Sequence, residues 1–202
     1  MKSYTLKKIS GTPNWDSIPA LDIDVTYRKI ANVQAWAQLC WNDNGIYVHL
    51  KAKEQNIRCQ ETDPMAEICC DSCLEFFFSP TEATHYFNFE YNPACALYLG
   101  YGSNIHDLIR LKLQDEKAMF TPEAYRTADG WGISYHIPFT FIQFFFPNFK
   151  AYEGLEFRAN CYKCGDRTDH PHHLSWNPIE LERVNFHTPQ FFGRMILGGE
   201  EI

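Results

Sequence analysis

The chain is poor in positive charge and lacks long apolar runs, and each shortage excludes a class of partner. Its 202 residues include 18 Lys and Arg against 25 Asp and Glu, a formal net charge of -7, and no local basic cluster offsets this balance. Nucleic acid and anionic membrane surfaces are therefore not expected partners. The longest apolar run, residues 139–147, is too short to span a bilayer, and the first ten residues lack the apolar stretch of a signal peptide.

The chain also lacks the sequence motifs of common enzyme classes. It contains no G-x-S-x-G elbow, no H-E-x-x-H helix and no glycine-rich phosphate loop. No Cys and His pattern of a nucleophilic enzyme is recognisable either. These absences favour a binding function over catalysis, and no cofactor is predicted.

The sequence contains eight cysteines, whose spacing permits two interpretations. Cys70-x-x-Cys73 and Cys161-x-x-Cys164 have the ligand spacing of a four-thiolate zinc site. Each pair is predicted to lie in or beside a strand, where residues three apart point to opposite faces, so a shared metal would need a turn or bulge at both pairs. We therefore predict buried free thiols and no metal site, which suits a reducing compartment such as the cytoplasm.

Period-2 alternation of apolar residues dominates the chain and predicts strands. It runs over Val33–Asn42 and Ile46–Lys53, and turn residues join the two segments into a predicted hairpin. Further predicted strands are Leu74–Ser79, His85–Tyr91, Ala96–Tyr101, Leu108–Leu113, Glu123–Thr127, Trp131–Ile137, Leu155–Tyr162 and Arg194–Leu197. A short helix is predicted only at Pro138–Phe146, between two prolines.

This pattern predicts an all-β fold with a single domain over residues 1–202. The expected architecture is an antiparallel β-sandwich, immunoglobulin-like or jelly-roll-like, with long loops and at most one short helix. No internal repeat or linker suggests a second domain.

The segment Asn160–Gly193 mixes aromatic and hydrogen-bonding side chains without a helical or strand period. A compact domain seldom contains an irregular stretch of about 30 residues unless it is functional or disordered, and the many rings argue against disorder. We predict a recognition loop for a small polar ligand with an apolar face, such as a sugar. Its candidate ligand contacts are Asn160, Lys163, His173, Trp176 and Phe186. For Trp176, a place in the core at the end of the sandwich is the alternative.

Several motifs, in order along nearly the whole chain, resemble the family 9 carbohydrate-binding modules. The matching segments are AQLCWNDNGIYVHLKAKE, DSCLEFF, YFNFEYN, GWGISYHIP, GLEFRANCYKCGD, LSW and FHTPQFFGRMIL. Members of that family are β-sandwiches, usually attached to xylanases and related enzymes. The resemblance implies a non-catalytic domain that binds a mono- or oligosaccharide.

The resemblance also implies individual ligand residues. In the family the sugar lies between two tryptophans, and Phe186 takes the place of one of them. The other is expected near Pro64–Ala66, where this chain has no tryptophan. The polar ligands that the resemblance implies are Glu75, Asn88, Glu90 and Asn160.

Three alternatives remain open at the level of the sequence. Glu75 and Glu90, on neighbouring predicted strands, could be the two carboxyl groups of a glycoside hydrolase. The related haem-binding DOMON-type sandwich would hold iron by a Met and a His, for which Met65 and His173 are candidates by residue type. A structural calcium ion, frequent in the family, would need several oxygen ligands on a flexible loop. The acidic residues that could supply them are Glu61, Asp63, Glu67 and Asp71.

Overall fold

The computed structural model of the chain describes residues 1–27, 32–63, 65–81 and 85–199. Strands form most of its regular structure, which confirms the predicted all-β fold. The strands in these ranges are β1 Ser3–Lys8, β2 Leu21–Ile23, β3 Val25–Thr26, β4 Gln34–Asn42, β5 Gly45–Lys53, β6 Cys73–Ser79, β7 Tyr86–Tyr91, β8 Leu97–Gly102, β9 Ile109–Leu111, β10 Glu123–Thr127, β11 Gly130–Pro138, β12 Glu156–Cys164, β13 His173–Ser175 and β14 Gly193–Leu197.

The strands form two sheets, which β1 joins. In the front sheet the strand order is β1-β14-β12-β6-β7-β8-β9, with β13 paired to β12 and β3. In the back sheet the order is β10-β11-β5-β4-β1, with β2 paired to β4. β1 pairs with β14 through Ser3–Leu6 and with β4 through Lys7 and Lys8, and both pairings are parallel. The other ladders among the described residues are antiparallel. The predicted antiparallel sandwich is therefore correct except at β1, whose two pairings are parallel.

The core lies between the two sheets and follows from the strand alternation. The inward residues of β6 and β7 include Phe76, Phe78, Phe87 and Phe89, all fully buried. From the back sheet, Tyr135 stacks on Phe89 with 5.9 Å between the ring centroids. Because successive side chains of a strand point to opposite faces, the residues between these phenylalanines lie on the outer face of the front sheet.

Two short helices, α1 at Glu116–Phe120 and α2 at Phe139–Phe145, lie beside the sandwich. α2 falls inside the predicted helical segment, and Pro138 precedes its first turn, where a missing N–H removes no intrahelical hydrogen bond. With α1 the described part of the chain has two short helices where the sequence predicted at most one. The sequence did not indicate α1 because a helix of five residues is too short to show a helical period. Neither helix in the described ranges is long and apolar enough to cross a membrane.

The predicted recognition loop is only partly irregular. Its first five residues, Asn160–Cys164, belong to β12, and His173–Ser175 form β13. Residues 165–172 and 176–192 are loops, with one 3-10 turn at Pro189–Phe191. Ile179 and Phe192 of the second loop are buried in an apolar cluster on the outer face of the front sheet. This loop therefore covers one part of that face and leaves another part open.

Candidate functional site

A row of four polar or aromatic residues crosses the outer face of the front sheet. Glu75 on β6 and Glu90 on β7 are directly opposed. Tyr162 on β12 is opposite Glu75, and Tyr98 on β8 is opposite Glu90. Directly opposed residues share a face of the sheet. The strand register alone thus places two carboxyl groups side by side between two tyrosines.

A cleft of about 260 Å³ opens above this row. Its walls are Tyr98 and residues 184–187, which belong to the loop at residues 176–192. Glu75 and Glu90 lie at its floor. The other lining residues include Glu67, Asp166, His173, Cys69 and Cys164. The cleft combines acidic groups with aromatic rings, so it suits a neutral or cationic polar ligand better than an anion.

The two floor carboxyl groups are strongly buried, Glu75 with 2% and Glu90 with 5% of its surface exposed. Burial raises the pKa of Glu75 to about 7, against a hydrogen bond from the Cys164 thiol that lowers it. Burial first, and then the charge of Glu75, raises the pKa of Glu90 well above its ordinary value. Two carboxyl groups in this arrangement retain a proton near neutral pH. The pair can therefore offer a ligand both a hydrogen-bond donor and an acceptor.

Asn88 supports the pair without lining the cleft. Its Nδ2 donates to Glu90 Oε1 at 2.7 Å, and the residue is fully buried. Gly100 stands opposite on β8, where an added Cβ would lie 2.1 Å from Asn88 Oδ1. The amide can occupy this position only because residue 100 has no side chain.

The aromatic wall is rigid because its rings are packed against other groups. Phe186 stacks on Tyr162 with 4.1 Å between centroids and 9° between planes, and meets His173 edge-on at 5.7 Å. On the opposite wall, the Arg110 guanidinium lies 4.2 Å from the centroid of Tyr98. Arg110 also donates to the backbone carbonyls of residues 65 and 66, at 2.8 and 2.9 Å, and so holds that loop at the rim.

Two histidines border the cleft. His173 Nε2 lies 2.5 Å from Asp166 Oδ1 at the rim. His187 Nδ1 lies 2.8 Å from the Tyr86 hydroxyl, and burial lowers the pKa of His187 to about 4. The His187 imidazole is therefore neutral at physiological pH and adds no positive charge to the acidic cleft.

The structure brings together five of the eight predicted ligand residues. Glu75, Glu90, His173 and Phe186 line the cleft, and Asn88 lies directly behind Glu90. The other three, Asn160, Lys163 and Trp176, are buried elsewhere.

Asn160 is fully buried, and its side chain holds the start of the loop at residues 176–192. Its Nδ2 donates to the Asn177 carbonyl at 3.0 Å, and its Oδ1 accepts from the Asn177 N–H at 2.8 Å and the Cys161 N–H at 3.0 Å. Trp176 belongs to the main core and is 3% exposed, which is the alternative that the sequence left open.

Tyr162 lies on the outer face of the front sheet, and successive side chains of a strand point to opposite faces. Lys163, the next residue, therefore points away from the cleft. Its Nζ lies 3.2 Å from Glu54 Oε1 and 2.8 Å from His172 Nε2, and all three residues are buried. Trp131 Nε1 also donates to Glu54, at 2.7 Å. This polar cluster connects the two sheets, so Lys163 has a structural role.

Of the residues proposed for calcium, Asp71 is already held by protein hydrogen-bond donors. Asp71 is fully buried and accepts hydrogen bonds from Arg58, from the backbone N–H groups of Gln60 and Glu61, and from Asn92 Nδ2. These donors occupy the positions from which a cation would have to approach the carboxylate.

Among the described residues the four-thiolate set is not brought together, and the two candidate haem ligands differ in their relation to the cleft. His173 lines the cleft, but Met65 is 61% exposed and is not part of its lining. Of the four cysteines, Cys73 and Cys164 are directly opposed on the outer face, whereas Cys161 is buried in the core between the sheets. The strand alternation on β12 thus separates Cys161 from Cys164, as expected for residues three apart.

Sequence reasoning missed Tyr98, Asp166 and Cys164 as cleft residues. The position of Tyr98 follows from the register of the β7–β8 hairpin, since Tyr98 directly opposes Glu90. Asp166 and Cys164 reach the cleft because β12 extends two residues beyond its predicted end and the chain then turns.

Sequence and structure comparisons describe the same kind of domain. The family model described as "Carbohydrate-binding family 9" matches residues 24–197. No protein among the curated sequences matches the chain significantly.

The solved structures that resemble the whole chain include these three. A candidate carbohydrate-binding protein from Bacteroides uniformis is 27% identical with a TM-score of 0.83, covering 97% of this chain and 99% of its own. A family 9 module from Caldicellulosiruptor kristjanssonii in complex with glucose is 11% identical with a TM-score of 0.70. The match covers 99% of this chain and 97% of that chain. A structure with the same description, in complex with cellotriose, is 11% identical with a TM-score of 0.71. The match covers 99% of this chain and 95% of that chain. The two Caldicellulosiruptor structures share the fold of this chain.

Proposed function

The chain belongs to carbohydrate-binding family 9, and on that premise we propose that its front-sheet cleft binds a mono- or short oligosaccharide without cleaving it. The observation that carries the proposal is the row formed by Tyr98, Glu90, Glu75 and Tyr162, with Phe186 above it. A sugar presents hydroxyl groups that donate and accept hydrogen bonds, together with apolar C–H faces. The carboxyl pair matches the hydroxyls, and the rings match the faces.

The size of the cleft favours one sugar unit or the end of a chain. Its volume of about 260 Å³ lies just below the roughly 300 to 1,000 Å³ of pockets for drug-sized ligands. The related modules whose structures contain glucose and cellotriose support sugars as the ligand class. Since Phe186 stands where the family has one of its two tryptophans and the expected place of the other holds none, the aromatic surface offered to the sugar is smaller here.

The placement of the two carboxyl groups argues against glycoside hydrolysis. A hydrolase needs them on either side of the scissile bond, about 5 to 10 Å apart. Glu75 and Glu90 extend from the same face of one sheet as directly opposed neighbours. Both would approach a bound sugar from the same side, which suits binding of hydroxyl groups and not acid–base attack across a bond.

A glycan-array screen followed by calorimetry with the best ligand tests the proposal. Phe186→Ala should weaken binding about fivefold through lost stacking, and Glu90→Gln by roughly 5- to 100-fold, because sugar hydroxyls lose a buried partner. The melting temperature should change little in both variants. The matched controls are Phe144→Ala, 78% exposed on α2, and Glu156→Gln, whose exposed carboxylate pairs with Arg194 at 3.2 Å.

Both controls should bind like the unmodified protein. A screen without any sugar ligand, or equal losses in the controls and the cleft variants, would contradict the proposal. Cleavage of a bound oligosaccharide that depends on Glu75 would replace it with the hydrolase interpretation.

A further inference from the structure

Two cysteines and a glutamate form a compact buried cluster, of which Glu75 and Cys164 line the cleft and Cys73 does not. Cys73 on β6 and Cys164 on β12 are directly opposed, and Glu75 lies two residues further on β6, on the same face. The two sulfur atoms and a carboxylate oxygen all lie within 4.8 Å of one another. Cys164 Sγ donates to Glu75 Oε1 at 2.8 Å.

This spacing is close to that of ligands around a tetrahedral zinc ion. With Zn–S distances of about 2.3 Å and Zn–O distances of about 2.0 to 2.2 Å, neighbouring ligand atoms lie roughly 3.5 to 3.8 Å apart. The 2.8 Å between Cys164 Sγ and Glu75 Oε1 would have to widen by about 0.7 Å, and a separation at the 4.8 Å limit would have to close by about 1.0 to 1.3 Å. Small side-chain rotations on two fixed strands allow shifts of this size.

The charges around the cluster also favour a cation. Cys73, Glu75 and Cys164 are almost completely buried, so without a cation their ionised forms are costly. Glu90 adjoins Glu75, and Glu67 and Asp166 stand at the rim of the same cleft. A divalent ion would neutralise the anionic forms of the cluster and be attracted by the surrounding carboxylates.

We propose that Cys73, Cys164 and Glu75 bind one thiophilic divalent ion, zinc above all. Binding releases the two thiol protons to solvent, Glu75 ligates as its carboxylate while the proton of the carboxyl pair stays on Glu90, and the ion has three protein ligands. A fourth position then stays free for water or a ligand group, as in other zinc sites with three protein ligands. Thiolate ligands select zinc over calcium and magnesium, which prefer oxygen. This inference does not rest on the proposed sugar binding.

The experiment uses the metal-free 202-residue chain without an affinity tag, kept reduced because the directly opposed thiols must stay unoxidised. The chain is titrated with Zn²⁺ by calorimetry and with Co²⁺ by absorption spectroscopy. We expect one ion per chain and a thiolate-to-cobalt charge-transfer band with the intensity of two thiolates. Sugar binding is measured separately on the metal-free chain, so the two proposals can fail independently.

Variants distinguish this site from the four-cysteine set. Cys73→Ser and Cys164→Ser should lower the zinc affinity at least about 100-fold, since loss of a partner beyond the direct ligands already costs 10- to 100-fold. Cys161→Ala, on the same strand as Cys164 but in the core, and Cys59→Ser, outside the cluster, should keep the affinity within about threefold.

Three results would overturn the proposal: no uptake of Zn²⁺, a cobalt spectrum with other than two thiolates, or an equal loss in Cys161→Ala. If Cys73→Ser or Cys164→Ser fails to fold, the cobalt spectrum of the unmodified chain decides alone, because it counts thiolates without any substitution.

Discussion

At the scale of single residues, the cleft depends on pairs of side chains that constrain each other. Glu75 and Glu90 keep a proton between them because both are buried and directly opposed. Asn88 fixes one oxygen of Glu90, and Tyr162 fixes the plane of the Phe186 ring. Each group that would contact a ligand is thus held by a neighbour, which reduces the entropy lost on binding.

Gly100→Ala should displace the Asn88 side chain and so disturb the carboxyl pair that Asn88 supports. The new Cβ would lie 2.1 Å from Asn88 Oδ1, so the amide must shift and its hydrogen bond to Glu90 must lengthen. Overpacking of this kind typically costs about 1 to 3 kcal/mol of unfolding free energy. Urea denaturation measures the loss, and ligand titration should show weaker sugar binding. Unchanged stability together with unchanged binding would show that Asn88 does not support the site.

Buried histidines should make the protein less stable in acid. Burial lowers the pKa of His187 to about 4, and burial together with the charge of Lys51 lowers the pKa of His49 to about 4. Between the unfolded value of about 6.5 and the folded value near 4, the unfolded chain binds more protons, so the unfolding free energy falls as pH decreases through this window. Below about pH 4 the loss is complete.

The variant His49→Gln isolates one of these contributions. The side chain of His49 contacts Gln38 and Tyr125 at 3.0 and 2.6 Å, so the variant loses stability at every pH. The difference in unfolding free energy between pH 7 and pH 4.5 should nevertheless shrink, by on the order of 2 kcal/mol. Urea denaturation at the two pH values is the measurement. An unchanged difference would mean that His49 is protonated equally in both states.

At the scale of elements, alternation predicted the long strands well and the short or mixed ones poorly. The hairpin β4–β5 and the strands β6, β7 and β11 are within a few residues of their predicted bounds, because each buries a full apolar face. β2 and β13 have three residues each, too few for a period. β1 pairs with strands distant in sequence, and such pairings leave no local signal.

The site could be predicted from the sequence to the extent that it depends on strands. Glu75, Asn88 and Glu90 follow from alternation on β6 and β7 once the core face is known. Lys163 was misplaced because β12 continues through the segment interpreted as a loop, which turns this side chain inward. The position of Asp166 depends on how the following loop packs, which no sequence period encodes.

The variant Leu6→Ala tests β1 as the junction of the two sheets. Leu6 is fully buried between the sheets, so its truncation should lower the unfolding free energy by about 2 to 5 kcal/mol. Thr5→Ala, exposed on the same strand, should change it by about 0.5 kcal/mol or less. Thermal and urea denaturation of both variants give the comparison. Equal effects would contradict a central position of β1 in the core.

At the scale of the whole molecule, the two faces of the front sheet have different roles. The inner face stabilises the fold, and the outer face forms the proposed binding cleft. The inner face of the front sheet holds the phenylalanine core, while its outer face carries the carboxyl row and the cleft. Residues 176–192 close the outer face on one side, so the open part is limited to the size of a small ligand. The net charge of -7 is consistent with an acidic cleft and with partners other than polyanions.

The most direct test of the central claim is to map the bound sugar on the protein by NMR. The isotope-labelled chain is titrated with the sugar that binds best in the glycan screen, and amide shifts are followed. We expect the perturbed residues to cluster at Glu75, Glu90, Tyr98 and residues 184–187, with none on β10 at the far edge of the back sheet. Shifts confined to another surface, or no shifts at saturating sugar, would contradict sugar binding in this cleft.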